Sequence, residues 1–148
     1  MDRVKELIIS QLKDGEIVWF GSDVSNYRGD KSSGLWDDLS FDYVSAFGFD
    51  IKFNKADMLD YHESAMNHAM CLTGVNIKDN KPNRWKVENS WGKDSGNQGY
   101  YIMSDSWFDS YVYQAVVNKK YLNDKELKCL MDEPIVLNPW DPLGTLAD

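Results

Sequence analysis

HAMCLTGVNI at residues 68–77, RWKVENSW at residues 84–91 and GYYIMS at residues 99–104 decide the fold of this chain. Each stretch is rich in β-branched, aromatic and other apolar residues, which is typical of strands. The two intervening segments, residues 78–83 (KDNKPN) and 92–98 (GKDSGNQ), are rich in Asp, Asn, Lys and Gly, as hairpin loops are. The sequence therefore predicts consecutive antiparallel strands at its centre.

Further helices and strands are predicted on both sides of these strands. On the N-terminal side Val4, Leu7 and Ile8 share the apolar face of an amphipathic helix. Residues 25–60 are a long and partly irregular excursion. The predicted elements outside the centre are a helix over 2–14, a strand over 16–24, a short helix around 56–64, a turn or short helix over 105–112, a strand over 114–121 and a helix over 123–131.

The C-terminal segment differs in composition from the rest of the chain. Three prolines and a glycine fall within residues 134–144, and proline cannot donate the backbone hydrogen bond that a helix interior needs. We therefore divide the chain into a β-rich unit over residues 1–133 and an extended C-terminal arm over residues 134–148.

The composition limits the class of protein. The chain has 148 residues, of which 43% are hydrophobic and 14% aromatic, and this suffices for one domain with a buried core. The net charge of −8 opposes contact with a phosphate backbone, so nucleic-acid binding by this segment is not expected. Two cysteines are too few for a disulfide framework. With no signal peptide or membrane-spanning run in the sequence, we expect a soluble cytoplasmic protein.

The two histidines differ in their surroundings. His62 lies among polar residues in DYHES and is interpreted as a surface residue. His68 opens an apolar strand and, taken alone, is best explained as a hydrogen-bonded histidine at a strand end. Asn89 follows 21 residues later, a spacing that suits neighbouring antiparallel strands. A thiol nucleophile needs a base, the base needs a group that holds its ring, and Trp91 is placed to shield such a His–Asn hydrogen bond from water.

Five stretches carry a family resemblance. NHAMCLTGV (67–75), WKVENSWG (85–92) and GNQGYYIM (96–103) are similar to the histidine and asparagine strands of papain-like proteases. GEIVWFGSDV (15–24) resembles the strand that opens the same half of that fold. VWFGSDV, LTGVNI and above all NPWDPLGTLAD (138–148) resemble the bleomycin hydrolase and bacterial aminopeptidase C family of papain-like cysteine peptidases. The chain resembles the C-terminal part of that family.

The resemblance implies a fold and a reaction. The fold would be α+β, an antiparallel barrel-like sheet with peripheral helices, corresponding to the β-rich half of the papain-like fold. The complete enzyme would hydrolyse peptides from their N-terminus through an acyl-thioenzyme, with His68 as general base, Asn89 as its orienting group and Trp91 in support. No metal or organic cofactor is implied. The family assembles as a hexamer around an internal cavity, so self-association of the full enzyme is expected.

The resemblance also gives the end of the arm a role. In the family this arm ends in the active-site cleft, where its terminal carboxylate receives the free amino group of the substrate. Ala147 and Asp148 are therefore expected to form a gate for the substrate N-terminus. The chain departs from the family pattern in having Asp148 after Ala147 and Ser22 where family members tend to have cysteine.

The nucleophile is not recognisable in this sequence. The chain has two cysteines, Cys71 and Cys129, and neither lies in a motif like Cys-Gly-Ser-Cys-Trp. Strand alternation turns Cys71 away from His68 and predicts a packing role in the core. We expect a missing N-terminal half to bear the cysteine, and the isolated chain to be inactive. Two alternatives stay open, a non-catalytic binding or assembly module and an inactive truncated remnant. An exposed apolar face would favour the interpretation of this chain as part of an enzyme, because the missing half would have covered that face.

Overall fold

The computed structural model describes residues 1–25, 33–50 and 53–142, which form six strands and several helices. The helices are α1 (Asp2–Lys13), α2 (Tyr43–Phe47), α3 (Lys55–Asp60), α4 (Asp105–Tyr111) and α5 (Asp124–Cys129), with a short 3-10 turn at Lys119–Tyr121. The strands are β1 (Val18–Ser22), β2 (Leu35–Trp36), β3 (His68–Lys78), β4 (Lys81–Glu88), β5 (Tyr100–Ser104) and β6 (Val112–Val116). No helix in these ranges is long and apolar enough to cross a bilayer.

All six strands join one sheet in the order β2-β5-β4-β3-β1-β6. The predicted antiparallel run is present, since β3, β4 and β5 pair antiparallel, as β1 does with β3 and β6. The predicted α+β class is confirmed. The sheet differs from the predicted antiparallel barrel in two ways: β2 pairs with β5 in parallel, and the edge strands β2 and β6 do not pair among the described residues. With two residues in β2, this edge is too short to close the sheet.

The hairpin between β3 and β4 is tighter than the sequence predicts. The predicted loop spans residues 78–83, but Lys78 already pairs with Lys81 across the turn. The two turn residues, Asp79 and Asn80, have φ angles of 51° and 61°. Two consecutive residues with positive φ match the right-handed twist of the flanking strands, and Asp and Asn tolerate this conformation well.

The prediction of a strand over residues 114–121 is wrong in its second half. β6 ends at Val116, and the chain then enters the 3-10 turn at Lys119–Tyr121, where the Asn118 side chain accepts from the Lys120 backbone N–H. Such local capping by asparagine competes with strand pairing. The last predicted helix is present as α5, and Asn123 and Glu126 form a reciprocal capping box at its start.

The core lies between one face of the sheet and the helices α1 and α4. Alternate residues of each central strand point into it, as the period of two requires, and Ile8 of α1 covers them. The largest fully buried side chains are Trp36, Trp85, Trp107, Tyr101, Phe20 and Phe108. Such large aromatic residues bury much apolar area each and dominate core energetics. This core supports the strand ends on which the candidate site is built.

Lys55 at the start of α3 is a half-buried cation. Its ammonium lies over the Tyr113 ring, 5.2 Å from the centroid, and donates to the Val112 carbonyl. Burial is the main cause that lowers the pKa of Lys55 to about 8, while Asp109 opposes the change and Lys5 adds to it. The Lys55 ammonium group therefore holds its proton less tightly in the folded chain than in the unfolded chain.

Stability is expected to rise with pH through the titration of Lys55. The cost of the buried charge is fully present below pH 8, and it is relieved as the pH rises from about 8 toward the ordinary value of 10.5. The total change is on the order of 1–3 kcal/mol. Urea unfolding at pH 7.5 and 9.5 should show wild type gaining stability relative to Lys55→Met. Equal changes in both proteins would contradict the assignment.

Candidate active site

The sheet brings His68 and Asn89 together from adjacent strands. His68 is the first residue of β3 and pairs with Ser22 of β1. Asn89 directly follows the last residue of β4, and the pairing of Cys71 with Glu88 places this end of β4 beside the start of β3. The His68 Nε2 atom lies 2.9 Å from the Asn89 Oδ1 atom, which is within the predicted hydrogen-bond range.

The hydrogen bonds of Asn89 determine which ring nitrogen of His68 carries the proton. The Ser90 backbone N–H, which can only donate, is 2.8 Å from Asn89 Oδ1. That atom is therefore the amide oxygen, so His68 Nε2 must donate to it. In the neutral ring the other nitrogen, Nδ1, then has a lone pair and can accept a proton. This arrangement is what a general base needs.

Trp91 packs against the face of His68, as predicted. The two rings stack with centroids 5.2 Å apart and an angle of 25° between their planes. On its other sides Trp91 meets the buried rings of Trp36, at 6.3 Å, and Tyr101, at 5.8 Å. His68 itself is half-buried, so part of it stays open to solvent and a reacting group can approach it.

Neither cysteine presents a thiol to His68 Nδ1. Cys71 pairs in the sheet with Trp19, which is 51% exposed, so its side chain lies on the face opposite the core. The prediction that Cys71 packs in the core is wrong, because it is only half-buried and lies outside the core cluster. Burial, with a smaller contribution from Glu88, raises the pKa of the Cys71 thiol and disfavours the thiolate. Cys129 is exposed at the end of α5.

The remaining predicted residues lie apart from this pair or outside the described ranges. His62 is exposed in a turn with a positive φ of 57°, consistent with its interpretation as a surface residue. Residues 133–138 have no helix or strand, and residues 134–140 are exposed. Ala147 and Asp148 lie outside the described residues, and their role as a gate stays a prediction. Within the described ranges no group of three or more His, Cys, Asp or Glu residues is placed to hold a metal ion.

Sequence reasoning missed a buried polar cluster beside His68. Asp23 follows β1 and accepts hydrogen bonds from Ser64 and Asn67, the latter being the residue just before His68. Asp23 and Ser64 are buried. These residues carry no spacing motif, because the three segments meet only when β1 pairs with β3. The one local signal is an aspartate next to an apolar strand, which is too common to identify a site.

The chain is similar to known peptidases. A model described as the peptidase C1-like family matches residues 1–144. The chain is 53% identical to aminopeptidase C of Lactobacillus delbrueckii subsp. lactis, covering 99% of this chain and 33% of that protein. Identity to bleomycin hydrolase of Mus musculus is 46%, covering 100% of this chain and 33% of that protein. The crystal structure of PepW from Lactobacillus rhamnosis HN001 superposes with a TM-score of 0.89 at 50% identity, covering 97% of this chain and 33% of that chain. The chain thus spans about a third of the length of these relatives.

Proposed function

This chain belongs to the peptidase C1-like family, and from that premise we propose that it supplies the histidine and asparagine of a cysteine aminopeptidase. The observation that carries the proposal is the 2.9 Å hydrogen bond from His68 Nε2 to Asn89 Oδ1, which leaves Nδ1 as the proton acceptor. Asparagine holds the ring without adding a charge to the site. The substrates are peptides with a free N-terminus, in keeping with the relatives named aminopeptidase C.

The proposed reaction uses His68 twice. Nδ1 takes the proton of a cysteine thiol, and the thiolate sulfur attacks the carbonyl carbon of the scissile peptide bond. The imidazolium returns this proton to the leaving amine as the carbon–nitrogen bond breaks, which produces an acyl-thioenzyme. Nδ1 then takes a proton from water, whose oxygen attacks the thioester and releases the acid and the thiol. Trp91, stacked on the ring, keeps the His68–Asn89 bond dry through both steps.

The thiol in this proposal comes from a segment outside these 148 residues. Cys71 points to the opposite face of the sheet and Cys129 lies at the end of α5. The sheet also leaves apolar side chains exposed on the face opposite His68, where Trp19 pairs with Val116, and this packing surface is separate from the approach to His68. The proposal therefore includes this Cys-bearing partner segment. Assembly as a hexamer, which the resemblance implies, and the cytoplasmic location expected from the sequence belong to the same proposal.

A chimera tests this function. The aminopeptidase C of Lactobacillus delbrueckii subsp. lactis would have its matching third replaced by this chain, to which it is 53% identical. The chimera is expected to hydrolyse aminoacyl 4-nitroanilides and to lose this activity after treatment with iodoacetamide. The 148-residue chain alone is expected to be inactive, because neither of its thiols faces His68. Iodoacetamide-sensitive turnover by the chain alone, or a folded but inactive chimera, would contradict the proposal.

A further inference from the structure

Asp23 is a buried carboxylate at the end of β1. It is 1% exposed and accepts hydrogen bonds from three donors. The Ser64 hydroxyl lies 2.6 Å from Oδ2, while the Asn67 amide at 2.7 Å and the Ser25 backbone N–H at 2.8 Å both donate to Oδ1. A buried charge is costly unless it is well hydrogen-bonded. Three donors within 3 Å hold this carboxylate in one place.

Asn67 connects this carboxylate to His68. Its backbone N–H donates to the Ser22 carbonyl at 3.1 Å, and its side-chain oxygen accepts from the Val24 backbone N–H at 3.0 Å. Its amide nitrogen donates to Asp23 Oδ1 and, at 2.6 Å, to the Ser25 hydroxyl. The residue immediately before His68 is therefore held through its backbone and through both ends of its side chain.

Ser64 extends the same network to the edge of the sheet. Its hydroxyl donates to Asp23 Oδ2 and accepts from the Tyr113 hydroxyl of β6 at 2.6 Å. The segment over residues 64–67 is thus tied to β1 at one end and to β6 at the other. This segment leads directly into β3, so its position decides where β3 begins.

We propose that Asp23 is a positioning residue for His68 and acts through Asn67. Asn89 holds the His68 ring at Nε2, and the Asp23–Asn67 clamp holds the backbone from which that ring projects. Both restraints are needed, because a ring that is fixed at one atom still shifts when its Cα shifts. Displacements of about 1 Å in a catalytic group can cost about 100-fold in rate. The catalytic consequence rests on the proposed function, but the clamp itself does not.

The test compares two matched serine-to-alanine changes in the 148-residue chain. Ser64→Ala removes a buried hydroxyl that donates to Asp23, and Ser110→Ala removes a buried hydroxyl that donates to a different carboxylate, Asp38, at 2.8 Å. Asp23→Asn is the stronger variant, because its NH2 group replaces an accepting oxygen and would face either the Ser64 O–H donor or the Asn67 and Ser25 N–H donors. The readout is the resonance of the hydrogen-bonded His68 Nε2–H in proton–nitrogen NMR spectra.

We expect Asp23→Asn and Ser64→Ala to shift or broaden the His68 Nε2–H resonance. Ser110→Ala is expected to lose about as much thermal stability as Ser64→Ala but to keep the wild-type resonance. In the chimera, Asp23→Asn is expected to lower kcat about 10-fold or more with little change in KM. If Asp23→Asn does not fold, Ser64→Ala decides the question. A wild-type His68 resonance in a folded Asp23→Asn or Ser64→Ala variant would overturn the proposal. An inactive wild-type chimera would instead count against the proposed function, since the NMR comparison needs no activity.

Discussion

The His68→Ala variant of the chimera is expected to lose on the order of 1,000-fold in kcat/KM, the middle of the range for a general acid–base group. His68 carries its proton on Nε2, where it is held by Asn89 at 2.9 Å, and offers Nδ1 to the thiol. Without the ring the thiol stays largely protonated at neutral pH, and the leaving amine receives no proton. Initial rates of aminoacyl 4-nitroanilide hydrolysis, at substrate concentrations well below KM, measure this loss of kcat/KM directly.

The other histidine provides the matched control for that variant. His62 is exposed in a turn, so His62→Ala is expected to keep activity within about 2-fold, as surface changes usually do. Circular dichroism would confirm that both variants fold. A His68→Ala chimera that retained more than a tenth of the wild-type kcat/KM would exclude His68 as the base.

The Trp36→Ala variant is expected to have the largest effect on stability, about 3–5 kcal/mol, the usual cost of truncating a buried tryptophan to alanine. Trp36 is 1% exposed and stacks between Tyr101, at 4.7 Å, and Trp107, at 5.1 Å. It also meets the edge of Trp91 at 6.3 Å. Removing the indole leaves a cavity among large rings that cannot collapse into it without moving Trp91, and with it the stacking surface of His68.

Chemical unfolding of the 148-residue chain measures this prediction, with Trp140→Ala as the matched control. Trp140 is 77% exposed in the arm, so its removal deletes the same side chain without a cavity. We expect the free energy of unfolding of Trp140→Ala to stay within about 0.5 kcal/mol of wild type. Equal destabilisation by the two variants would show that Trp36 is not the centre of the core.

The hydrogen-bonded pair of His68 and Asn89 illustrates what can be predicted from residue order. The strands around His68 and Asn89 are rich in apolar residues and separated by polar turn residues, and these features depend only on near neighbours in the chain. The family resemblance inferred from these strands is confirmed by the match over residues 1–144. Their predicted hydrogen bond is present because antiparallel neighbours with a tight turn must come into register.

The predictions from sequence are wrong where distant parts of the chain interact, or where a local cap ends a strand that the residue pattern would continue. Residues 114–121 look like one strand, yet the Asn118 cap ends β6 at Val116. Cys71 looks like a core residue in the sequence. In the structure it pairs with the exposed Trp19 and lies on the face of β3 opposite the core. Apolar composition alone does not say which face of a sheet is covered.

The sequence by itself indicated the family through the resemblance of its motifs, predicted the α+β class and singled out His68, Asn89 and Trp91 as candidates, because motifs and spacing can be recognised along the chain without its three-dimensional contacts. Only the tertiary structure decided which nitrogen of His68 carries the proton, which face Cys71 occupies and that Asp23 clamps the residue before His68. The physical reason is that these properties depend on hydrogen bonds and packing between segments that are far apart in sequence. The Asp23 carboxylate and its Asn67 partner are 44 residues apart, and only the pairing of β1 with β3 brings them into contact.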